Sequence, residues 1–174
     1  MVINLQPTLE NARVTLLPLE QTDFEALFAI ASDPAVWEQH PNKDRWKREV
    51  FQAFFDGALQ SRGAFKIIEK ATGEVIGSTR FYDHDAGTAS IFIGYTFYAK
   101  RYWGTGINPS VKNLMFRYLS KCVSIVYFHI GARNLRSQIA ITRLGAIKVG
   151  EEKVAPYRDE PHLHFLYKIY LRKT

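Results

Sequence analysis

Gly104 and Gly106 stand within the run Arg101-Tyr102-Trp103-Gly104-Thr105-Gly106-Ile107-Asn108-Pro109, between an apolar segment and an amphipathic one. Residues without a Cβ let backbone N–H groups close on an anion, and a helix starting behind them adds its positive dipole end. Lys100 and Arg101 supply charge at the rim. The chemistry this spacing serves is the grip of a phosphate. Two phosphate loops are excluded: a P-loop needs Lys-Ser/Thr where Ile107-Asn108 stands, and a dinucleotide fingerprint needs a third small residue where Pro109 stands. A plain tight turn before a helix is the remaining alternative.

Proton transfer needs titratable groups, and the candidates are His40, Asp83-His84-Asp85 and the C-terminal set Asp159-Glu160-x-His162-x-His164. His162 and His164 share one face of a strand. With no third ligand at metal spacing, no metal is expected. Cys122 is the only cysteine, which rules out an internal disulfide and a cysteine metal cluster.

These residues need elements to hold them. A short strand is predicted at Val14 to Leu17, then a helix from Thr22-Asp23, capped by Thr22 and ended by Pro34, with Phe24, Leu27, Phe28 and Ala31 on one face. Trp37 to Lys43 reads as a loop, and Trp46 to Leu59 as a second amphipathic helix. The period then changes to two: Phe65 to Glu69, Val75 to Tyr82 and Ala89 to Phe97 form an antiparallel meander. Asn108 as cap and Pro109 as first residue start a helix with the stripe Val111, Leu114, Met115, Tyr118, Leu119. Ser124 to Ile130 is nearly all apolar, as for a strand covered on both faces. A helix over Leu135 to Leu144 and strands at Ala146 to Glu152 and His162 to Leu171 complete the order βααβββαβαββ. That order implies an α/β (α+β) fold, a mixed sheet with helices on both faces, with the glycine loop at a strand's carboxyl end.

The 174 residues suit one domain, 1–174; 47% are hydrophobic and 14% aromatic, ample for a core. No apolar run reaches membrane-spanning length and no signal peptide is evident, so a soluble, cytoplasmic protein is expected. The net charge of +6 is spread along the chain, and the mild positive field suits a phosphate-bearing ligand or an acidic protein as well as nucleic acid.

The element order, with Arg101-x-x-Gly104-x-Gly106 between the meander and the third helix, resembles the GNAT N-acetyltransferases over nearly the whole chain. Ile93-Gly94-Tyr95 resembles that family's fourth strand, and Asn134-x-x-Ser137 with Leu144-Gly145 resembles the two ends of its fourth helix. Val14-Thr15-Leu16 and Asp33-Pro34-x-x-Trp37 resemble the branch of the ribosomal-protein N-terminal acetyltransferases. The resemblance implies a mostly antiparallel sheet and acetyl-CoA as co-substrate, lying where strands 89–97 and 124–130 splay apart. It implies that Phe97 and Tyr98 line the pantetheine arm, that Arg101, Trp103, Gly104, Thr105, Gly106, Ile107 and Asn108 hold the diphosphate, and that Asn134 helps to hold the cofactor. A backbone N–H near Phe97 would face the oxyanion.

Many members use a tyrosine to protonate the leaving thiolate. Its position is Ile141 here, and the resemblance shifts that role to Ser137, as hydrogen-bond donor or water relay. The glutamate often found before Ile-Gly-Tyr is Phe92, which leaves the general base unassigned. Trp37, His40 and His162 are expected to meet an amine acceptor, a protein N-terminus or a small molecule, attacked without a covalent enzyme intermediate. A homodimer is compatible with this reading, and a membrane partner is not expected. Two other classes stay open: a non-catalytic acyl-CoA-binding or sensing module, motivated by Ile141 and Phe92, and a basic nucleic-acid-binding domain.

Overall fold

The computed structural model describes residues 3–155 and 161–172. Asp159 and Glu160 lie outside the described residues. The strands are β1 (Leu9–Glu10), β2 (Val14–Pro18), β3 (Ala64–Glu69), β4 (Val75–Asp85), β5 (Ser90–Tyr98), β6 (Ile125–Gly131), β7 (Ile147–Val154) and β8 (His162–Tyr170). The helices are α1 (Phe24–Ala31), α2 (Arg48–Ser61), α3 (Ile107–Leu119) and α4 (Leu135–Arg143). The strands form one sheet in the order β1-β2-β3-β4-β5-β6-β8-β7. Only β5 and β6 pair in parallel, with α3 as the crossover between them. The mixed, mostly antiparallel sheet expected from the sequence is therefore present.

The sheet separates two cores. On one face lie α3 and the fully buried Ile67, Phe81, Ile91, Ile93, Val111 and Met115. On the other, α1 and α2 contribute a cluster of aromatic rings, in which Phe24 meets Phe55 edge-on at 5.2 Å and Phe97 of β5 meets Trp37 at 5.2 Å. Aromatic pairs of this geometry add about 0.5–1.5 kcal/mol each beyond the area they bury.

Several boundaries differ from expectation. The chain adds β1 against β2. Residues Lys43–Trp46 form a 3-10 turn, so α2 begins at Arg48 rather than Trp46. Glu20 and Asp23, not Thr22, cap the entry to α1 by a reciprocal box. Asp33 caps the turn Pro34–Trp37 by accepting from the Ala35 amide. The N-cap of α3 is Gly106, not Asn108, because Gly106 takes φ +83° and lets the helix start two residues earlier. Asn108 instead accepts a hydrogen bond from the Tyr98 hydroxyl at 3.1 Å.

Two departures from regular pairing shape the site. Ser78 faces Phe97 while Arg80 faces Gly94, so Tyr95 and Thr96 together oppose Thr79. This is a β-bulge, with Tyr95 at φ +53°. Second, β5 and β6 pair only at Ser90↔Ile125, Ile91↔Val126 and Phe92↔Tyr127. Beyond Phe92 the bulged strand turns away, and the parallel ladder is not resumed.

Candidate active site

The unpaired stretch leaves a V-shaped gap between residues 93–98 of β5 and 128–131 of β6, and the glycine loop sits at the end of its β5 arm. Gly104 and Gly106 both have left-handed backbones, φ +72° and +83°, which only glycine adopts freely. A Cβ on Gly104 would meet no atom within 4 Å, so the space above it is open to a ligand. Helix α3 points its first-turn amides at the same space, and those amides have no intrahelical acceptor. The loop is braced by Thr105, whose hydroxyl donates to the Tyr102 carbonyl at 2.7 Å, and by Arg13, whose Nη2 donates to the Thr105 carbonyl at 3.1 Å. Arg13 Nη1 would lie 3.0 Å from a Cβ on Gly106. Its guanidinium thus reaches the loop from the bend just before β2, 92 residues from Thr105 in sequence, and loop composition gives no sign of it. Arg101 is turned to an ion pair with Glu74.

At the mouth of the gap, Phe97 and Tyr98 are buried, and the Tyr98 carbonyl already accepts from Trp103 Nε1 at 3.2 Å. Arg136 of α4 stacks on the Trp103 ring at 3.8 Å and donates to the Val36 carbonyl at 3.3 Å. Its amide donates to Gln39 Oε1 at 2.9 Å. The first turn of α4 is thereby tied to both the glycine loop and the 36–40 segment. Asn134 is its N-cap and accepts from the Ser137 amide at 3.2 Å, while Ile141 is buried in the core.

A cavity of about 300 Å³ is lined in part by residues of both β5 and β6. Its walls are Tyr82 and Asp83 from β4, Tyr95 from β5, His129 from β6, His164 from β8, His40 and Arg45 from the 37–46 segment, and Val154 and Ala155. Tyr95 and His129 both lie beyond the last β5–β6 pair, so the cavity takes a wall residue from each of the two unpaired arms. His40 reaches it because Pro41 sits on Gly131 at the end of β6, where a Cβ would come 2.6 Å from the proline Cγ.

The histidines are not equivalent. Burial, then the Arg45 guanidinium 3.2 Å from its Nε2, hold His40 well below the usual imidazole range. Arg45 has only donors, so it occupies the lone pair a base would use. Burial also lowers His164, while its Nδ1, 2.8 Å from the His162 carbonyl, is held there as donor. His129 Nε2 is 3.0 Å from Glu152 Oε2, and its Nδ1 is 3.4 Å from the Tyr82 hydroxyl.

Two expected acceptor contacts are placed elsewhere. Trp37 is 3% exposed, donates from Nε1 to the Ala31 carbonyl at 2.8 Å and belongs to the aromatic core. His162 is half-buried and meets this region through its carbonyl, which holds His164, rather than as part of the cavity wall. Among the described residues no group of three or more His, Cys, Asp or Glu could hold a metal ion, and no helix is long and apolar enough to cross a membrane.

The strand pair is thus open beside a left-handed glycine loop and the start of α3. Comparisons with known proteins identify the family and the fold. The profile of the acetyltransferase (GNAT) domain matches residues 13–147. No curated protein matches the chain in sequence. Among solved structures, a GCN5-related N-acetyltransferase from Brucella melitensis superposes with a TM-score of 0.81 at 20% identity, over 95% of this chain and 79% of that one. Spermidine N-acetyltransferase from Vibrio cholerae, solved with coenzyme A and spermine, gives 0.70 at 14% identity over 94% and 98%. The microcin C7 self-immunity acetyltransferase MccE, solved with acetyl-CoA and AMP, gives 0.75 at 16% over 96% and 98%.

Proposed function

The chain belongs to the GNAT acetyltransferase family, and from that premise we propose that it moves the acetyl group of acetyl-CoA to a primary amine, a protein N-terminus or a small molecule, by direct attack. The protein is an acyltransferase with acetyl-CoA as co-substrate; the acceptor, the route and the residue roles are the reading offered here. One observation carries it: β5 and β6 stop pairing after Phe92 and Tyr127, with the glycine loop following β5 and with Tyr95 and His129, both beyond the last pair, lining one cavity.

In this reading the amides of Gly104, Gly106 and Ile107 bind the diphosphate, with Arg13 adding charge in place of Arg101. Backbone of Phe97 and Tyr98 lines the acyl arm as an added strand would. An amide of the bulged segment near Phe97 donates to the carbonyl oxygen as charge develops on it. Ser137, in the first turn of α4, donates a hydrogen bond toward the departing thiolate. Asn134, whose carbonyl oxygen caps α4, turns its amide nitrogen to the ligand. His40 takes part in shaping the acceptor cavity. One domain covers 1–174, and the setting is cytoplasmic. On Val14-Thr15-Leu16 and Asp33-Pro34-x-x-Trp37 we place the chain beside the ribosomal-protein N-terminal acetyltransferases.

The test is release of free coenzyme A from acetyl-CoA with a panel of amines, including spermidine and an unblocked alanyl hexapeptide. Turnover with at least one amine is expected. Tight acetyl-CoA binding with no thiol released by any amine would favour the acyl-CoA-sensing alternative.

A further inference from the structure

Tyr82 lies flat across β5. Its ring passes over Gly94, where a Cβ would come 2.9 Å from Tyr82 Cε1 and 3.2 Å from the hydroxyl oxygen. Only a residue without a side chain lets a β4 tyrosine reach over the neighbouring strand to β6. There the hydroxyl stands 3.4 Å from His129 Nδ1, at the wall of the cavity. On the far side of the same ring, His129 Nε2 is 3.0 Å from Glu152 of β7. Phe92 stacks on the imidazole at 4.6 Å and fixes its plane.

The carboxylate decides the tautomer. Glu152 can only accept, so Nε2 carries the proton and Nδ1 presents a lone pair to Tyr82. We propose that Tyr82, His129 and Glu152 form the proton relay that deprotonates the acceptor ammonium, with His129 as the base and Glu152 as its positioning residue. This inference rests on the acetyl-transfer reading above and supplies the base that Phe92 leaves missing.

The Tyr82 oxygen takes a proton from the ammonium while its own proton passes to His129 Nδ1, so the phenol is neutral before and after. Burial raises the Tyr82 pKa well above the usual phenol range, which rules out a standing phenolate and suits a relay. The freed amine forms the new C–N bond as the C–S bond breaks. The nitrogen's second proton ends on the thiolate. The imidazolium, stabilised by Glu152, returns its proton to water after product leaves. The other charged or titratable groups facing the relay are His164, with ring centroid 6.4 Å from His129, Tyr95, with ring centroid 5.1 Å from Tyr82, and Asp83, His40, Arg45 and Arg80. His40 is held neutral by burial and Arg45, so it does not compete.

The experiment is the pH profile of kcat/KM for the faster of spermidine and the alanyl hexapeptide. His129→Gln should lower it ~100-fold at pH 7, within the usual range for general-base catalysis, with acetyl-CoA affinity unchanged. The deficit should shrink toward pH 10, where the amine loses its proton unaided. Glu152→Gln should lower kcat/KM by a smaller factor, because the ring loses the acceptor that fixes its tautomer, with a deficit that likewise shrinks toward pH 10, and Tyr82→Phe should behave as His129→Gln. A His129→Gln rate within twofold of the parent, or a deficit constant across pH, would overturn the relay while leaving acetyl transfer intact. No turnover by the parent protein with either amine would count against acetyl transfer itself, and the relay would fall with it. If His129→Gln does not fold, a Glu152→Gln rate equal to the parent's, or a deficit constant across pH, overturns the proposal.

Discussion

Lys112 Nζ donates to the Thr96 hydroxyl at 2.7 Å, inside the β5 bulge, although Lys112 is only 3% exposed. Thr79 is a second acceptor at 3.2 Å, and the two threonine hydroxyls are 2.8 Å from each other. Both acceptors are neutral. Burial therefore pushes the ammonium down to about 7 from its usual 10.5.

The sign of the resulting pH dependence is fixed. Below pH 7 folded and unfolded chains both hold the proton, and the folded state bears the full cost of a buried charge. Between about 7 and 10.5 the unfolded chain keeps the proton while the folded one releases it, so stability rises with pH by an amount on the order of 5 kcal/mol. Lys112→Met should remove this contribution, since Thr79 and Thr96 still bond to each other. Thermal melts should favour the Met variant most at pH 6 and least at pH 10. A stability difference independent of pH would contradict the buried ammonium.

At the anion seat, Gly104→Glu combines a strained backbone with a carboxylate where the diphosphate belongs. Affinity for acetyl-CoA should fall at least ~100-fold, roughly 3 kcal/mol, with little change in fold because a side chain there has room. Isothermal titration of the variant checks this. Arg13→Ala should cost less, about tenfold, and should grow less important in high salt.

Trp37 distinguishes core from contact. Its indole packs on Phe54 and Phe97 and bonds the Ala31 carbonyl, so Trp37→Ala should destabilise the protein by about 3–5 kcal/mol. Urea unfolding measures it. A loss below about 1 kcal/mol with a raised acceptor KM would instead make Trp37 a substrate contact.

Ser137→Ala tests the leaving-group assignment. With its hydroxyl gone but the Asn134 cap on the Ser137 amide retained, kcat should fall about fivefold while acetyl-CoA affinity holds, since a single neutral hydrogen bond contributes ~1 kcal/mol. Steady-state kinetics that leave kcat unchanged would remove Ser137 from the mechanism.

The sequence and the structure agree where the signal is local. Gly104 and Gly106 announce a backbone conformation, the Val111–Leu119 stripe announces a helix, and the alternation from Phe65 to Phe97 announces a meander. What was illegible depends on pairing. The gap exists because β5 carries two residues against Thr79, and the left-handed residue there is Tyr95, not a glycine or asparagine that would mark it. His129 is hidden for a similar reason. It sits in the apolar run 125–130, read as covered on both faces, and its partners come from β4 and β7. Lys112 falls beside the apolar stripe, and nothing in its neighbours predicts that two threonine hydroxyls will take it inside. The Asn108 cap was a fair expectation by residue type, overridden because Gly106 ends the loop in a left-handed turn.

The central claim is that the opening between β5 and β6 receives acetyl-CoA with its diphosphate on the glycine loop. A crystal structure of the protein with coenzyme A tests it most directly. The account predicts diphosphate oxygens on the amides of Gly104, Gly106 and Ile107 and a pantetheine arm between residues 93–98 and 128–131. Coenzyme A bound elsewhere, with that opening closed by protein, would contradict it.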